Sequence, residues 1–190
     1  MKKRLFIAVD ISEDARVAAR KYIDSLKNRF SSEPVKWEAP EKLHLTLKFL
    51  GSTDDRLIDR IEELIQQSAK GAAPFGVEIS GTGAFPSDKN PRVLWLGVSE
   101  RSGTMKHLAE LIDQKSSELG YEKENRTFKP HLTIARIQDP GPAMDLVREH
   151  QANSFGPNRF LCNSIVLYES QLGRDGATYI KLATAKFHDA

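Results

Sequence analysis

The apolar residues of this chain recur at two different spacings, which predict a mixture of strands and helices. Short apolar or alternating runs predict strands near residues 5–9, 43–50, 75–81, 92–98, 127–137, 163–169 and 178–187. Apolar positions three and four residues apart predict helices near residues 12–30, 57–65, 104–119 and 143–150. The order helix, strand, helix, strand, strand therefore occurs twice, and we expect an α+β fold with antiparallel sheets.

Two of the predicted strands carry the same string, a histidine and a threonine two residues apart between apolar residues. The first is Leu43-His44-Leu45-Thr46-Leu47 and the second is Pro130-His131-Leu132-Thr133-Ile134. Because strand side chains alternate between faces, each histidine shares a face with its threonine while the apolar residues face a core. Five histidines and eight threonines in 190 residues would produce roughly 0.2 such strings by chance. One string alone fits an ordinary half-buried strand, but the pair indicates a functional site.

The spacing of the two strings predicts an internal duplication. The two histidines lie 87 residues apart, and so do the two threonines. We predict one domain over residues 1–190, made of two pseudo-repeats at about 5–98 and 104–187. Packed side by side, the two halves would form a bilobal molecule. They would face each other across a central cleft, with one His-x-Thr strand from each half lining it.

Composition limits the kinds of protein and the kinds of binding partner that fit this sequence. Charged residues make up 28% of the chain, but the formal net charge of +2 leaves no general basic field for nonspecific binding of nucleic acid. Cys162 is the only cysteine, so we expect a buried side chain and no intramolecular disulfide. The apolar run at residues 5–9 is too short for a signal peptide, and no run is long enough to cross a bilayer. We therefore expect a cytoplasmic protein with no membrane partner.

Two histidines and two hydroxyls suit chemistry on a phosphodiester. One neutral imidazole can remove a proton from an attacking water while the other, as imidazolium, protonates the departing oxygen. A threonine hydroxyl can donate to a non-bridging phosphoryl oxygen, where charge develops in the transition state. Neither string supplies an Asp or Glu as a further zinc ligand. The pattern predicts acid–base catalysis by His44 and His131 without a metal or cofactor, and it leaves open which histidine is the acid.

Residues 44–51 and 131–136 resemble the two motifs of the 2H phosphoesterase superfamily; their sequences are HLTLKFLG and HLTIAR. Within that superfamily the chain is similar to the RNA 2′,3′-cyclic phosphodiesterases, also named 2′-5′ RNA ligases. Further matching strings are RLFIAV at 4–9, GAFP at 83–86, RVLWLGV at 92–98 and LYES at 167–170. The resemblance covers essentially the whole chain and holds both motifs in order.

The resemblance implies a bilobal fold of two duplicated α/β halves, with both motifs facing a central cleft. It implies that His44 is the general acid and His131 the general base, and that Thr46 and Thr133 bind the phosphate. The implied reaction is the hydrolysis of an RNA 2′,3′-cyclic phosphate end to a 2′-phosphomonoester. Its reverse with a 5′-hydroxyl would give a 2′-5′ linkage. RNA carrying either group is the expected partner of a protein that we expect to be a monomer.

Several residues near the motifs have two possible roles. Arg136 is a candidate phosphate contact, although on a regular strand it would face away from the cleft unless a bulge or twist returns it. Lys48 is expected at a solvated strand end and Phe49 in the core. Tyr168 either stacks on a base or is a buried strand residue.

The remaining histidines and the loop cations are expected on the surface. The loop cations lie in two predicted hairpin loops, where they either guide an RNA strand or are solvated charges. The histidines are His107, His150 and His188, and the loop cations are Lys89, Arg92 and Arg174.

Two other functions stay open on the sequence. One is a phosphodiesterase that acts on small cyclic phosphates, such as nucleoside or ADP-ribose derivatives. The other is a noncatalytic module that binds RNA ends, although binding alone does not need two proton-transfer groups. An assay with EDTA on a cyclic-phosphate oligonucleotide and on a cyclic mononucleotide separates the three functions.

Overall fold

The computed structural model describes residues 1–173 and 176–188. Its strands are β1 (Lys2–Asp10), β2 (Val35–Trp37), β3 (His44–Asp54), β4 (Phe75–Phe85), β5 (Val93–Ser99), β6 (His131–Ile137), β7 (Asn158–Cys162), β8 (Ser164–Gly173) and β9 (Gly176–Lys186). Its α-helices are α1 (Glu13–Arg29), α2 (Ile58–Lys70), α3 (Thr104–Glu118) and α4 (Met144–Ala152). Every predicted strand and helix is present. The short strands β2 and β7 are additional, because three to five residues give too little alternation to detect.

Local sequence determines where the first helix begins and which of its faces is buried. Ser12 caps α1 by accepting a hydrogen bond from the backbone N–H of Ala15 at 3.2 Å. Glu13 and Asp14 occupy the first turn, where the helix dipole favours negative charge. The buried residues of α1 recur at helical spacing and form one face; they are Ala15, Ala19, Ile23 and Leu26.

The strands form two antiparallel sheets, and this arrangement confirms the predicted α+β fold class. One sheet has the order β3-β1-β8-β9 and the other has the order β2-β6-β5-β4-β7. We call them the His44 sheet and the His131 sheet, because each contains one of the motif strands. Strands β3 and β6 lie next to each other, so the two sheets meet at the motifs. Each sheet takes strands from both predicted pseudo-repeats.

The 87-residue offset is also present in the pairing registers. Strand β5 pairs with β6 in the way that β1 pairs with β3. The pairs Phe6–Phe49, Ala8–Thr46 and Asp10–His44 correspond to Val93–Arg136, Trp95–Thr133 and Gly97–His131. Strand β5, which the predicted boundary assigns to the first pseudo-repeat, is therefore the counterpart of β1. The division at about 5–98 and 104–187 stays a prediction.

Alternation along β1 separates two hydrophobic clusters. Leu5 and Ile7 belong to the main core, whereas Phe6 packs with Tyr168 in a smaller cluster on the opposite face of the sheet.

Helices α2 and α3 lie against the His44 sheet, and α1 and α4 lie against the His131 sheet. We call the side of each sheet that carries the motif histidine its cleft face. Within the described residues no helix has the length and hydropathy that crossing a bilayer requires.

Both motif strands contain a β-bulge at the same relative position. Leu47 in β3 and Ile134 in β6 are extra residues without a partner on the neighbouring strand. A bulge reverses the alternation beyond it, so Lys48 is buried and Phe49 is 65% exposed. The predictions of a solvated Lys48 and a core Phe49 are therefore wrong. The same reversal exposes Arg136.

The buried Lys48 ties β3 to α3. Its Nζ donates to the Asp113 carboxylate at 2.5 Å and to the carbonyl of Glu122 at 2.6 Å. The Lys48 side chain is only 8% exposed, and that of Asp113 is 21% exposed. An ammonium in this position needs its partner, because an unpaired buried charge is costly.

We expect Asp113→Ala to lower the free energy of unfolding by about 2–3 kcal/mol, because it leaves the Lys48 ammonium without its counter-ion. Urea unfolding monitored by circular dichroism measures the change. The matched control is Asp145→Ala, which removes an exposed ion pair with Arg148 and should change stability by at most about 0.5 kcal/mol. Equal losses in the two variants would contradict a structural role for the buried pair.

Candidate active site

The two motif histidines are held in the same way. The Nδ1 atom of His44 lies 2.6 Å from the carbonyl oxygen of Lys42, and that of His131 lies 2.7 Å from the carbonyl oxygen of Lys129. A carbonyl oxygen only accepts, so each Nδ1 carries a proton and donates it. The Nε2 atom of each ring then carries a lone pair in the neutral form and a proton, which it can donate, in the imidazolium. Either histidine can therefore act as an acid or as a base through Nε2.

Aromatic rings surround His44 on its cleft face. Its ring lies 4.7 Å from that of Phe6, 5.3 Å from Tyr179 in an edge arrangement, and 6.1 Å from Tyr168, between ring centroids. Burial lowers the pKa of His44, and the Lys42 carbonyl opposes this effect. Burial therefore favours the neutral imidazole, while the negative charges of Glu38 and Asp10 favour the imidazolium.

The surroundings of His131 are simpler. The ring of Phe85 meets it edge-on at a centroid distance of 5.0 Å. Burial lowers the pKa of His131, and the positive charge of Arg136 lowers it further, against the effect of the Lys129 carbonyl. In the free protein His131 is accordingly suited to be a neutral proton acceptor.

The motif threonines lie where the alternation of the strands predicts. Thr46 and Thr133 are both half-buried and share the cleft face with their histidines. In the pairing registers Thr46 is opposite Ala8, and Thr133 is opposite Trp95. The structure therefore places each motif threonine on the same strand face as its histidine, as the alternation predicts.

Arg136 lies on the cleft face of β6 because of the bulge at Ile134. Its Nε donates to the Glu38 carboxylate at 3.2 Å, and its side chain is 54% exposed. Its charge lowers the pKa of both motif histidines. The structure thus supplies the bulge that a cleft-facing Arg136 requires, and it places a guanidinium near both rings.

A cavity of about 140 Å³ lies beside His44. Asp10 is at its wall, where it accepts a hydrogen bond from the Tyr168 hydroxyl and pairs with Lys181 at 2.6 Å. The Tyr168 ring is buried and stacks on Phe6 at a centroid distance of 5.1 Å. Of the two roles expected for Tyr168, the structure shows the buried strand residue.

One further histidine does not lie where the sequence predicts. The sequence predicts His150 on the surface, but it is fully buried on the inner side of α4. Its Nε2 lies 3.2 Å from the carbonyl oxygens of Gly83 and Trp95, and its Nδ1 lies 2.9 Å from the Tyr22 hydroxyl. Burial is tolerated because these partners satisfy both ring nitrogens.

The other surface predictions agree with the structure where it describes them. His107 and His188 are exposed, and so are Lys89 and Arg92. Cys162 is buried with a free thiol, as predicted. Arg174 lies outside the described residues.

Sequence reasoning missed four residues beside His44, namely Asp10, Glu38, Phe6 and Tyr179. Asp10 ends the first apolar run, so it carried a weak signal, but only the pairing of β1 with β3 places it opposite His44. Among residues 1–173 and 176–188, no three His, Cys, Asp or Glu side chains are grouped closely enough to hold a metal ion. The arrangement offers two imidazoles, two hydroxyls and one guanidinium, groups that bind a phosphate and move protons around it.

Comparison with known proteins agrees with this combination of fold and site. The family model of the 2′-5′ RNA ligase superfamily matches residues 14–174, and the chain belongs to this superfamily. An RNA 2′,3′-cyclic phosphodiesterase of Archaeoglobus fulgidus is 38% identical over 154 residues, which are 80% of this chain and 84% of the relative. One from Methanothermobacter thermautotrophicus is 35% identical over 182 residues, which are 94% of this chain and 96% of the relative.

Solved structures share the fold over nearly the whole chain. The crystal structure of TT0787 of Thermus thermophilus aligns with a TM-score of 0.82 at 27% identity, covering 97% of each chain. That of Escherichia coli LigT in its apo form aligns with a TM-score of 0.79 at 22% identity, covering 99% of each chain. The arrangement of two antiparallel sheets with helices packed against them is therefore the fold of known proteins.

Proposed function

We propose that this protein is an enzyme that hydrolyses the 2′,3′-cyclic phosphate at an RNA end to a 2′-phosphomonoester. The proposal rests on the observation that the His44 ring and the His131 ring are held by equivalent hydrogen bonds. Each ring donates Nδ1–H to the carbonyl oxygen two residues before it and keeps Nε2 for chemistry. The relatives named RNA 2′,3′-cyclic phosphodiesterase support the choice of substrate.

In the proposed reaction, His131 removes a proton from water as the water oxygen attacks phosphorus. His44, as imidazolium, gives its Nε2 proton to the 3′ oxygen as the P–O3′ bond breaks. The products are a 3′-hydroxyl and a 2′-phosphate. His131 is then protonated and His44 neutral, and exchange with solvent restores both. No metal takes part in the proposed steps.

The phosphate-binding groups are Thr46, Thr133 and Arg136. Hydroxyl donors on both sides of the phosphate stabilise the charge that develops on its non-bridging oxygens. The guanidinium of Arg136 adds a charge-assisted donor, and such hydrogen bonds are roughly twice as strong as neutral ones. The shared cleft face of the threonines and the bulge at Ile134 support these proposed roles.

RNA is the proposed partner, and the same site run backwards would join a cyclic phosphate to a 5′-hydroxyl. Water is present at about 55 M and RNA ends are scarce, so hydrolysis dominates unless a bound partner keeps water out. We propose that the enzyme is cytoplasmic and that it acts as a monomer. The fact that one chain supplies both motif strands supports the monomer. Size-exclusion chromatography with light scattering tests the monomer.

The pH dependence provides the test of the mechanism. Burial lowers the pKa of both histidines below the ordinary value of about 6.5. For a cyclic-phosphate oligonucleotide we therefore expect a bell-shaped profile of kcat/KM with its optimum on the acid side of neutrality. In the pH profile of kcat, the alkaline limb should lie at higher pH than in the profile of kcat/KM, because the bound phosphodiester anion stabilises the imidazolium. EDTA should leave both profiles unchanged.

Two results would contradict the mechanism. One is a rate that rises steadily up to pH 9, and the other is activity that EDTA abolishes and a divalent ion restores. Either would indicate metal-bound hydroxide as the nucleophile. The same preparation assayed on a cyclic mononucleotide shows whether small cyclic phosphates are preferred to RNA ends.

A further inference from the structure

A carboxylate outside the two motifs lies at the cleft. Glu38 follows β2, and its backbone N–H donates to the carbonyl oxygen of Ile134, the bulged residue of β6, at 2.9 Å. Its carboxylate accepts the hydrogen bond from Nε of Arg136, and the Glu38 side chain is only 19% exposed. Glu38 is therefore fixed to the His131 sheet at the point where the bulge turns Arg136 into the cleft.

The charges in the cleft act differently on the two histidines. Glu38 raises the pKa of His44 more than Asp10 does, and the opposing effect of Arg136 is smaller than either. The charge that acts on His131 is that of Arg136, which lowers its pKa. Both charges of the Glu38–Arg136 ion pair therefore act on His44, whereas on His131 only the positive charge of Arg136 acts. Such a pair favours a proton on His44 over a proton on His131.

We propose that Glu38 is a positioning residue that keeps the catalytic proton on His44 and aims Arg136 at the phosphate. This proposal rests on the proposed function, in which His44 is the acid. Because Glu38 engages Nε of Arg136, the two terminal amino groups of the guanidinium stay available to a phosphate oxygen. One carboxylate thereby serves both the proton donor and the anion-binding group.

The other charged and titratable groups around His44 are accounted for. Asp10 is paired with Lys181 and accepts a hydrogen bond from Tyr168, so much of its charge is balanced locally. Arg16 is engaged with the carbonyl oxygens of Pro40 and Leu43. The remaining groups that line the cavity with His44 are Glu41, Lys42 and Tyr179.

Direct titration of the histidines by NMR, without substrate, tests the proposal independently of any activity. In Glu38→Gln we expect the pKa of His44 to fall by about 0.5–1, with a change in His131 less than half as large. The matched control is Glu78→Gln, which makes the same change in the ion pair of Glu78 with Arg159, 2.7 Å apart on the neighbouring strands β4 and β7 of the His131 sheet. The control should move neither histidine. An unchanged His44 in Glu38→Gln, or a larger shift in His131, overturns the proposal.

Kinetics on a cyclic-phosphate oligonucleotide provide a second readout. Glu38→Gln should move the alkaline limb of the kcat/KM profile to lower pH by the same amount, and Glu38→Asp, which keeps the charge, should largely restore it. An equal loss of rate at every pH, with no movement of the limb, would indicate a merely structural role and overturn the proposal. If the unmodified protein does not open cyclic phosphates at all, the proposed function fails, and the NMR titration still decides the effect of Glu38.

Discussion

Replacing either motif histidine with alanine is expected to lower kcat on a cyclic-phosphate oligonucleotide by roughly 10²–10⁴-fold, because each replacement removes one of the two proton-transfer groups. Fold and stability should change little, since both side chains are only partly buried, on the cleft faces of their strands. The double variant should lose far less than the product of the two single losses, because His44 and His131 act in one transition state. Single-turnover rates, with thermal melting to check the fold, measure these effects.

The chain offers a matched control for the histidine variants. His107 is exposed on α3, and His107→Ala should retain full activity. His150 is unsuitable, because its ring is buried and its replacement would leave buried polar groups without partners. Near-normal activity of His44→Ala or of His131→Ala would rule out the two-histidine mechanism.

The second large effect is expected at the motif threonines. Thr46→Ala or Thr133→Ala should lower kcat by roughly 10–10³-fold, since each removes one donor to the phosphoryl oxygens. Thr→Ser should retain more activity than Thr→Ala because the hydroxyl survives. The isosteric Thr→Val variants keep the shape and the β-branching without the hydroxyl, so they should be as impaired as the alanine variants.

The serine and valine variants separate hydrogen bonding from packing. If serine and alanine cause equal losses while valine stays active, the strand needs the methyl group, and the phosphate-binding role is wrong. Thermal melting of each variant shows whether a loss of rate reflects a loss of folded protein.

Local pattern was sufficient for the four α-helices, for every strand except the short β2 and β7, and for the motif residues. Strand alternation and helical spacing depend on near neighbours along the chain, so each predicted helix and strand is present. The same alternation places His44 with Thr46, and His131 with Thr133, on one face of a strand. Two matching strings at a constant offset also predict that the two strands belong to one site.

Alternation failed where a strand departs from regular pairing. It predicts Lys48 and Phe49 on the wrong sides, and it predicts that Arg136 faces away unless a bulge or twist intervenes. A bulge is defined by a mismatch with the partner strand, so no run of residues within β3 or β6 reveals it. The prediction for His150 is wrong for a related reason, because its polar partners come from three distant segments of the chain.

The sequence by itself determined the α+β composition, the pair of His-x-Thr strands and the chemistry that two imidazoles and two hydroxyls can perform. Only the tertiary structure decided which strands pair, that Arg136 enters the cleft, and that the carboxylates of Asp10 and Glu38 act on His44. Strand order and bulges depend on contacts between residues far apart along the chain. The proton affinity of each histidine depends on burial and on charges that those contacts bring near. Two similar motifs can therefore hold two histidines that differ in their electrostatic surroundings.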